Sequence, residues 1–237
     1  MLVASGACMC SHAQTSGLGG TLALSSQLVD RGMALSPVTP ILQGAVSWIS
    51  TTTGWAFGLS ASTETRAPGH TAAAQAQAAY YWSLADDWRM QAGETYYAYL
   101  GNSAASAFNR DETSVNWMYR DILTFGLSAI CLTNGNSHQP RGAADVDFHW
   151  PLPWNLSFSA GAGVTQTLVT VRSYGGYGGY ASGYSHPGSY YGYGHAGLIW
   201  NEDAWRVELE RVAVTPNGRW VSRWTTAPWV ATISWSF

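Results

Sequence analysis

The sequence predicts an all-β fold: a closed antiparallel transmembrane β-barrel, with twelve strands as the favoured count and ten as the alternative. Three observations carry this reading. Tryptophan pairs flank short polar turns four times: Trp48 and Trp55 around Thr51 to Gly54, Trp82 and Trp88 around Asp86-Asp87, Trp150 and Trp154 around Pro151-Leu152-Pro153, and Trp200 and Trp205 around Asn201 to Ala204. Apolar and polar residues alternate along the flanking segments, which is the period of a strand with two unlike faces. Charged residues are only 11% of the 237-residue chain, against roughly 25% in an ordinary soluble protein, while aromatics reach 14%.

No apolar run approaches the ~20 residues that a spanning helix needs. Lys and Arg number 11, are spread along the chain and leave a net charge of -3, so there is no footprint for nucleic acid. The competing architecture is a water-soluble barrel or sandwich with tryptophan in its core. It would need more Val, Ile and Leu on the core side and more charge outside.

Residues 1–13 read as a signal peptide that is short and has no Lys or Arg, as if the true start lay further upstream. Ser11-His12-Ala13 has the small-x-small form of a cleavage site before Gln14. A disordered leader is the alternative, and Ser5-Gly6-Ala7-Cys8 is a weak match to a lipoprotein site. Residues 14–237 form the barrel domain, in which Cys131 alone remains and no internal disulfide can form.

Strands are expected at 20–31, 39–50, 54–64, 72–84, 87–99, 114–123, 126–133, 143–150, 154–168, 190–200, 204–214 and 228–237. Their alternation defines the faces. Trp229, Ala231, Ile233, Trp235 and Phe237 share one face and Thr232, Ser234 and Ser236 the other; Val146, Phe148 and Trp150 oppose Asp145, Asp147 and His149; Trp205, Val207 and Leu209 oppose Arg206, Glu208 and Glu210. Every turn-flanking tryptophan falls on the apolar face. Indole is an apolar ring whose N–H still needs a partner, so it concentrates at membrane–water interfaces. Trp48, Trp55, Trp82, Trp88, Trp150, Trp154, Trp200, Trp205 and Trp235 are therefore expected to form one membrane-interface girdle, at the periplasmic rim where the short turns lie.

The stretch "WMYRDILTFGLSAICLTNG" has no obvious turn, and parity requires a cryptic one near Thr124 to Gly126. The remaining connectors, 32–38, 65–71, 100–113, 134–142, 169–189 and 215–227, are expected outside the cell. The fifth alternates Tyr with Gly; it reads as a flexible loop, or as a contact for a receptor or lipopolysaccharide.

The start of the barrel adds a resemblance. In "TLALSSQLVDRGMALSPVTPILQGAVSWISTTTGWAFGLSAST", Ser26, Arg31, Gly32, Pro40, Gln43, Gly44, Gly54 and Gly58 match the opening of a family of proteobacterial conserved hypothetical outer-membrane proteins, the Gcw_chp type. Leu28 departs from it, standing where the family has an aromatic residue. "WMYRD" is similar to the family's Tyr-x-Glu strand with Asp121 for Glu, and "WPLPWNLSFSAGAG" to its Pro-containing hairpin. The resemblance implies an outer-membrane barrel with no settled activity. The end, "WVATISWSF", places Trp235 and Phe237 as in the signal by which barrel-assembly machinery recognises its clients.

On the lumen face, parity collects Gln27, Arg31, Gln43, Gln75, Gln77, Arg89, Gln91, Arg120, Asp145, Asp147, His149, Arg206, Glu208 and Glu210. Opposite charges facing a narrow lumen pair across it, because burying either sign alone is costly. They form either a structural plug or a polar path for small solutes, in which the acidic residues give a slight cation preference. The implied function is a narrow channel or a structural barrel. A surface-loop binding or adhesion protein and a lipid-modifying enzyme are the alternatives. "PNGRWVSRW" faintly resembles elements of barrel phospholipases, but no His stands immediately before Asn217, so no catalytic residue is assigned. His186 and His195, in or beside the Tyr–Gly tract, read as surface residues. Asp145, Asp147 and His149 share a strand face as any lumen strand would, and no metal or cofactor is assigned. Partners are outer-membrane lipid, lipopolysaccharide and the assembly machinery, with a small polar solute.

Overall fold

The computed structural model describes residues 16–50, 52–68, 71–100, 105–134, 139–169, 189–215 and 224–237. The expected signal segment, His186 and most of the Tyr–Gly tract lie outside these residues. Twelve antiparallel strands close into a barrel: β1 (Ser16–Ser25), β4 (Ile41–Ser50), β5 (Trp55–Glu64), β6 (Thr71–Ala85), β7 (Trp88–Ala98), β8 (Arg110–Tyr119), β9 (Leu123–Leu132), β10 (Arg141–Pro151), β11 (Leu156–Gln166), β12 (Tyr190–Glu202), β13 (Trp205–Val214) and β14 (Trp229–Ser236). Two short strands, β2 (Val29–Asp30) and β3 (Met33–Ala34), make a separate hairpin, and one 3-10 turn spans Ser106–Phe108. Each barrel strand pairs with its sequence neighbours, and closure is made by β1 against β14.

The favoured count of twelve holds, because a turn does interrupt the 114–133 stretch, though four residues before the expected place. It is built by Arg120-Asp121-Ile122, with Arg120 at φ 48° and the Ile122 N–H donating to the Tyr119 carbonyl at 3.2 Å. Asp121 is the turn former that the hydrophobic stretch obscured. Thr124 and Gly126 instead sit within β9, paired with Met118 and Asn116. This shift moves β8 toward the chain start, so Arg110 and Glu112, expected in an outer loop, stand on the barrel wall.

Alternation sorts the side chains. The outer face carries the exposed apolar residues, among them Leu22, Leu59, Phe125, Leu198 and Leu209. A protein exposing so large an apolar band needs lipid rather than water around it. The tightly packed residues are inside the cylinder, at the end bearing the longer connectors. Leu28, Met33, Leu35, Ile41, Tyr99, Phe108, Ile130, Leu168 and Tyr191 form one buried cluster there. Met33 and Leu35, in the segment 32–38 expected as an outer loop, belong to this cluster, so the chain after Ser26 turns inward before Val38 returns to the surface. The β2–β3 hairpin reverses at Arg31-Gly32, with φ of 46° and 76°, the two positive values that a type I′ turn requires.

The seam is the thinnest joint in the wall. It pairs Thr21 to Ser25 with Ser236 to Thr232, five positions, where the other edge of β1 matches ten residues of β4. Beyond the ladder, Gly20 and Phe237 exchange backbone bonds at 2.9 and 3.0 Å. The Phe237 ring lies over Gly20 so closely that a Cβ there would sit 2.4 Å from it.

Candidate functional site in the barrel lumen

The lumen divides into two chemically different halves. At the end with the short turns, β10 contributes Asp145, Asp147 and His149, β12 contributes His195, and β13 contributes Arg206, Glu208 and Glu210. Register explains how they converge. Asp147 pairs with Gly161, which pairs with His195. Gly161 has no side chain, so its two neighbours lean over it: a Cβ there would lie 2.3 Å from Asp147 Oδ1 and 2.4 Å from His195 Cε1. Gly163 clears the same kind of space beneath Asp145 and Tyr193, whereas a Cβ at Gly197 would first meet the Leu209 carbonyl oxygen, at 2.4 Å. The run "SAGAG" is thus a pair of notches in the lumen wall. His195 Nε2 stands 3.7 Å from both Asp147 Oδ1 and Glu210 Oε1, and an Arg206 Nη is 3.3 Å from Glu208 Oε1. Four carboxylates therefore face this half beside one guanidinium, Arg206, with the Arg89–Asp121 pair at its mouth.

His195, read from the sequence as a surface residue, is a lumen residue between two carboxylates. The Tyr–Gly stretch continues into β12 rather than ending before it, and the alternation of Tyr191, Tyr193, His195 and Gly197 against Gly192, Gly194, Ala196 and Leu198 was the available signal. Arg120 is a second correction. It is not in the lumen but at the turn, half exposed, donating from Nε and one Nη to Asp87 at 3.0 and 3.1 Å. Arg89 lies at the mouth, where it bonds Asp121 at 2.7 Å. Asp145, Asp147, His149, Arg206, Glu208 and Glu210 are each partly buried.

The other half is filled by the inward chain. Gln27 donates to the carbonyls of Ser36 and Thr225 at 2.9 and 3.0 Å and accepts from the Ala227 N–H at 2.8 Å; the Leu35 N–H donates to the Leu28 carbonyl at 2.8 Å. Four charges lock the hairpin to the wall. Arg110, its side chain fully buried, donates to Asp30 Oδ2 at 2.6 Å and to Tyr99 Oη at 3.1 Å, and its guanidinium lies 4.0 Å from the Tyr97 ring centre. Glu112 receives Arg31 through both terminal nitrogens and lies 3.4 Å from Arg110 Nε. Two cations and two anions balance, as a buried cluster must. Burial alone would push the Asp30 carboxyl upward, but the Arg110 and Arg31 guanidinium groups outweigh it and hold it well below the usual carboxylate range. For Arg31, burial is likewise overcome by Glu112 and Asp30, which raise it above its ordinary value. Reading 27–31 as wall strand hid this hairpin, although "DRG" is a turn signal.

The tryptophans of the expected girdle gather on the outer face near the short turns. Trp48 and Trp55 each stack on Phe57, at 5.8 and 5.9 Å, and Tyr80 bridges Trp55 and Trp82 at 5.2 and 5.8 Å. Trp88 meets Tyr119 at 5.1 Å, Trp150 meets Phe148 at 6.0 Å, and Trp235 meets Phe237 at 4.9 Å. Trp200 and Trp205 are exposed on the same face. Trp154 differs from expectation: with Asn155 it forms the turn at φ 64° and 59°, and it projects with 85% exposure. The strand expected to begin at 154 starts at Leu156.

No family model matches the chain, and no curated protein does. Solved structures do. The chain is similar to a porin named KdgM, with a TM-score of 0.56 at 8% identity over 92% of this chain and 98% of that one. A second structure of that porin, in complex with disordered oligogalacturonate, gives 0.52 at 8% identity over 93% and 96%. The NanC porin gives 0.50 at 12% identity over 93% and 98%. At these identities the likeness is one of fold: the closed twelve-stranded cylinder of outer-membrane porins.

Proposed function

We propose that this chain is an outer-membrane channel for small polar solutes, with a preference for cations. The observation that carries this is the half-lumen in which Asp145, Asp147, Glu208 and Glu210 outnumber Arg206. In a narrow bore such a ring lowers the energy of a passing cation and raises that of an anion. The oligogalacturonate of the KdgM complex is a polyanion, so the solute class inferred here has the opposite sign. Because the hairpin and its cluster fill the other half, conduction requires that residues 26–40 withdraw. The surrounding lipid and lipopolysaccharide contact the apolar exterior, and the assembly machinery reads Trp235 and Phe237. The likeness of residues 20–65 to the Gcw_chp type supports the same location, and its Arg-Gly pair is the hairpin tip. No nucleophile and base are assigned, so we do not read the chain as an enzyme.

Planar-bilayer recording across a salt gradient tests this. The parent should show brief openings with a cation-selective reversal potential that moves toward zero in Asp147→Asn/Glu208→Gln. The packed, charge-balanced hairpin favours a second reading, a purely structural barrel. Silence from both the parent and a variant with its hairpin lock weakened, Asp30→Asn, would establish that reading instead.

A further inference from the structure

Midway along the outer face two charged side chains face lipid rather than lumen; the outward Asp111 sits apart from them at the upper end of β8. Glu94 shares the outward parity of β7 with Met90 and Tyr96, and Arg211 shares that of β13 with Leu209 and Ala213. Each stands six residues beyond the tryptophan that opens its strand, Trp88 and Trp205. At ~3.3 Å per residue and a tilt of ~40°, both lie about 15 Å above the short-turn rim, near the middle of a ~25 Å apolar band. Ionisable groups at that depth are costly and mark function by default. Within the chain, Glu94 accepts a bond from Thr113 Oγ1 at 2.6 Å and Arg211 lies 5.9 Å from the Trp229 ring centre. Neither has an ion-pair partner among the described residues.

Their placement is complementary. In the closed order β7 and β13 are six strands apart by either route, so the two charges sit at equal depth on diametrically opposite sides. The surroundings differ as well: Glu94 borders an outer groove of about 520 Å³ lined by Leu18, Trp48, Phe57, Ala78 and Tyr96, whereas Arg211 stands beside Leu209 and Trp229, each about half exposed.

We propose that copies of this chain associate head to tail in the membrane, Arg211 of one seated against Glu94 of the next. Pairing opposite signs in low dielectric removes two exposed charges from lipid at once. A two-fold contact through either face would bring like charges together. Because the two faces point in opposite directions, neighbours are related by translation, and the contact builds an open row rather than a closed ring.

The test is cross-linking in isolated outer membranes with a chain lacking Cys8, Cys10 and Cys131. With a lipid-soluble bifunctional thiol cross-linker, Tyr96→Cys/Ala213→Cys, which keeps both charges and lies two residues beyond each, should give a ladder of dimers, trimers and longer products, whereas each single-cysteine variant should stay monomeric. On non-denaturing gels, Glu94→Arg should reduce multimers at least tenfold and Glu94→Arg/Arg211→Glu should restore them. Every variant must keep the mobility difference between boiled and unboiled samples that marks a folded barrel. Absence of the ladder in folded protein, dimers from Tyr96→Cys alone, or failure of the charge exchange to rescue would overturn the proposal. Multimers unchanged in Arg211→Ala, with loss of bound lipopolysaccharide, would also overturn it and assign that charge to lipid phosphate.

Discussion

Removing one charge from the hairpin lock is the sharpest perturbation of this barrel. Asp30→Asn keeps size and hydrogen-bonding shape but strips the anion from Arg110, whose side chain has no solvent exposure. Breaking a buried pair by neutralising one partner costs about 3–5 kcal/mol, because the remaining charge is left uncompensated. Here Glu112 remains 3.4 Å from Arg110 Nε and the Tyr97 ring lies beneath the guanidinium, so the lower end, about 3 kcal/mol, applies. The barrel wall does not depend on Asp30, so the loss falls on docking of the hairpin, about a hundredfold in the undocked population at 1.4 kcal/mol per factor of ten. The assay is labelling of Leu35→Cys, a position 5% exposed in the docked state, by a membrane-impermeant thiol reagent in a chain lacking Cys8, Cys10 and Cys131. Labelling should accelerate by roughly two orders of magnitude, in line with that free energy. Adding Arg110→Met should restore protection, since Arg31 and Glu112 then balance alone and an apolar side chain fills the site. Equal labelling with and without Asp30→Asn, or no recovery in the double variant, would refute the idea that charge balance holds the hairpin.

Further outcomes follow from other parts of the molecule. The depressed Asp30 carboxyl contributes docking free energy that is fully present above the unfolded carboxylate value of about 4 and is lost only as pH falls below it, toward the lower folded value; hydrogen exchange of the hairpin amides, corrected for intrinsic rates, should therefore be flat from pH 8 to 5 and rise in stronger acid. Gly161→Ala should leave the barrel heat-modifiable but alter conductance, because its Cβ displaces the movable tips of Asp147 and His195. Gly54→Ala should lower thermal stability by about 1–3 kcal/mol, since φ is +75° and the new Cβ would lie 2.4 Å from the Tyr81 carbonyl oxygen; a melting curve in detergent checks it. Deleting Phe237 should reduce the yield of folded barrel in membranes, measured as the unboiled fast-migrating species.

The wall was legible from the sequence and the plug was not, for physical reasons. Strand faces follow from period-2 alternation, which is strong where lipid enforces it, as along Trp205, Val207 and Leu209 against Arg206, Glu208 and Glu210. At the upper end of β8 both faces are polar, Asp111 and Thr113 outside and Arg110 and Glu112 inside, so the period vanishes and the segment reads as loop. The hairpin fails for a different reason: Gln27 and Leu28 continue the alternation of β1, which masks its break at Val29 and Asp30, and the reversal itself rests on the positive φ at Arg31 and Gly32. The glycines at 161 and 163 give no signal of their own in the alternation, yet they are space for carboxylates on the strand beside them.

A cylinder whose twelve joints are unequal comes apart along the shortest one. The five-position overlap between first and last strands, finished by an aromatic ring dropped over a glycine notch, makes this molecule a coiled ribbon fastened by a clasp. Uncurled, the ribbon offers two raw β edges to any neighbour, so whatever inserts it must shield both margins until the terminal residue clicks home.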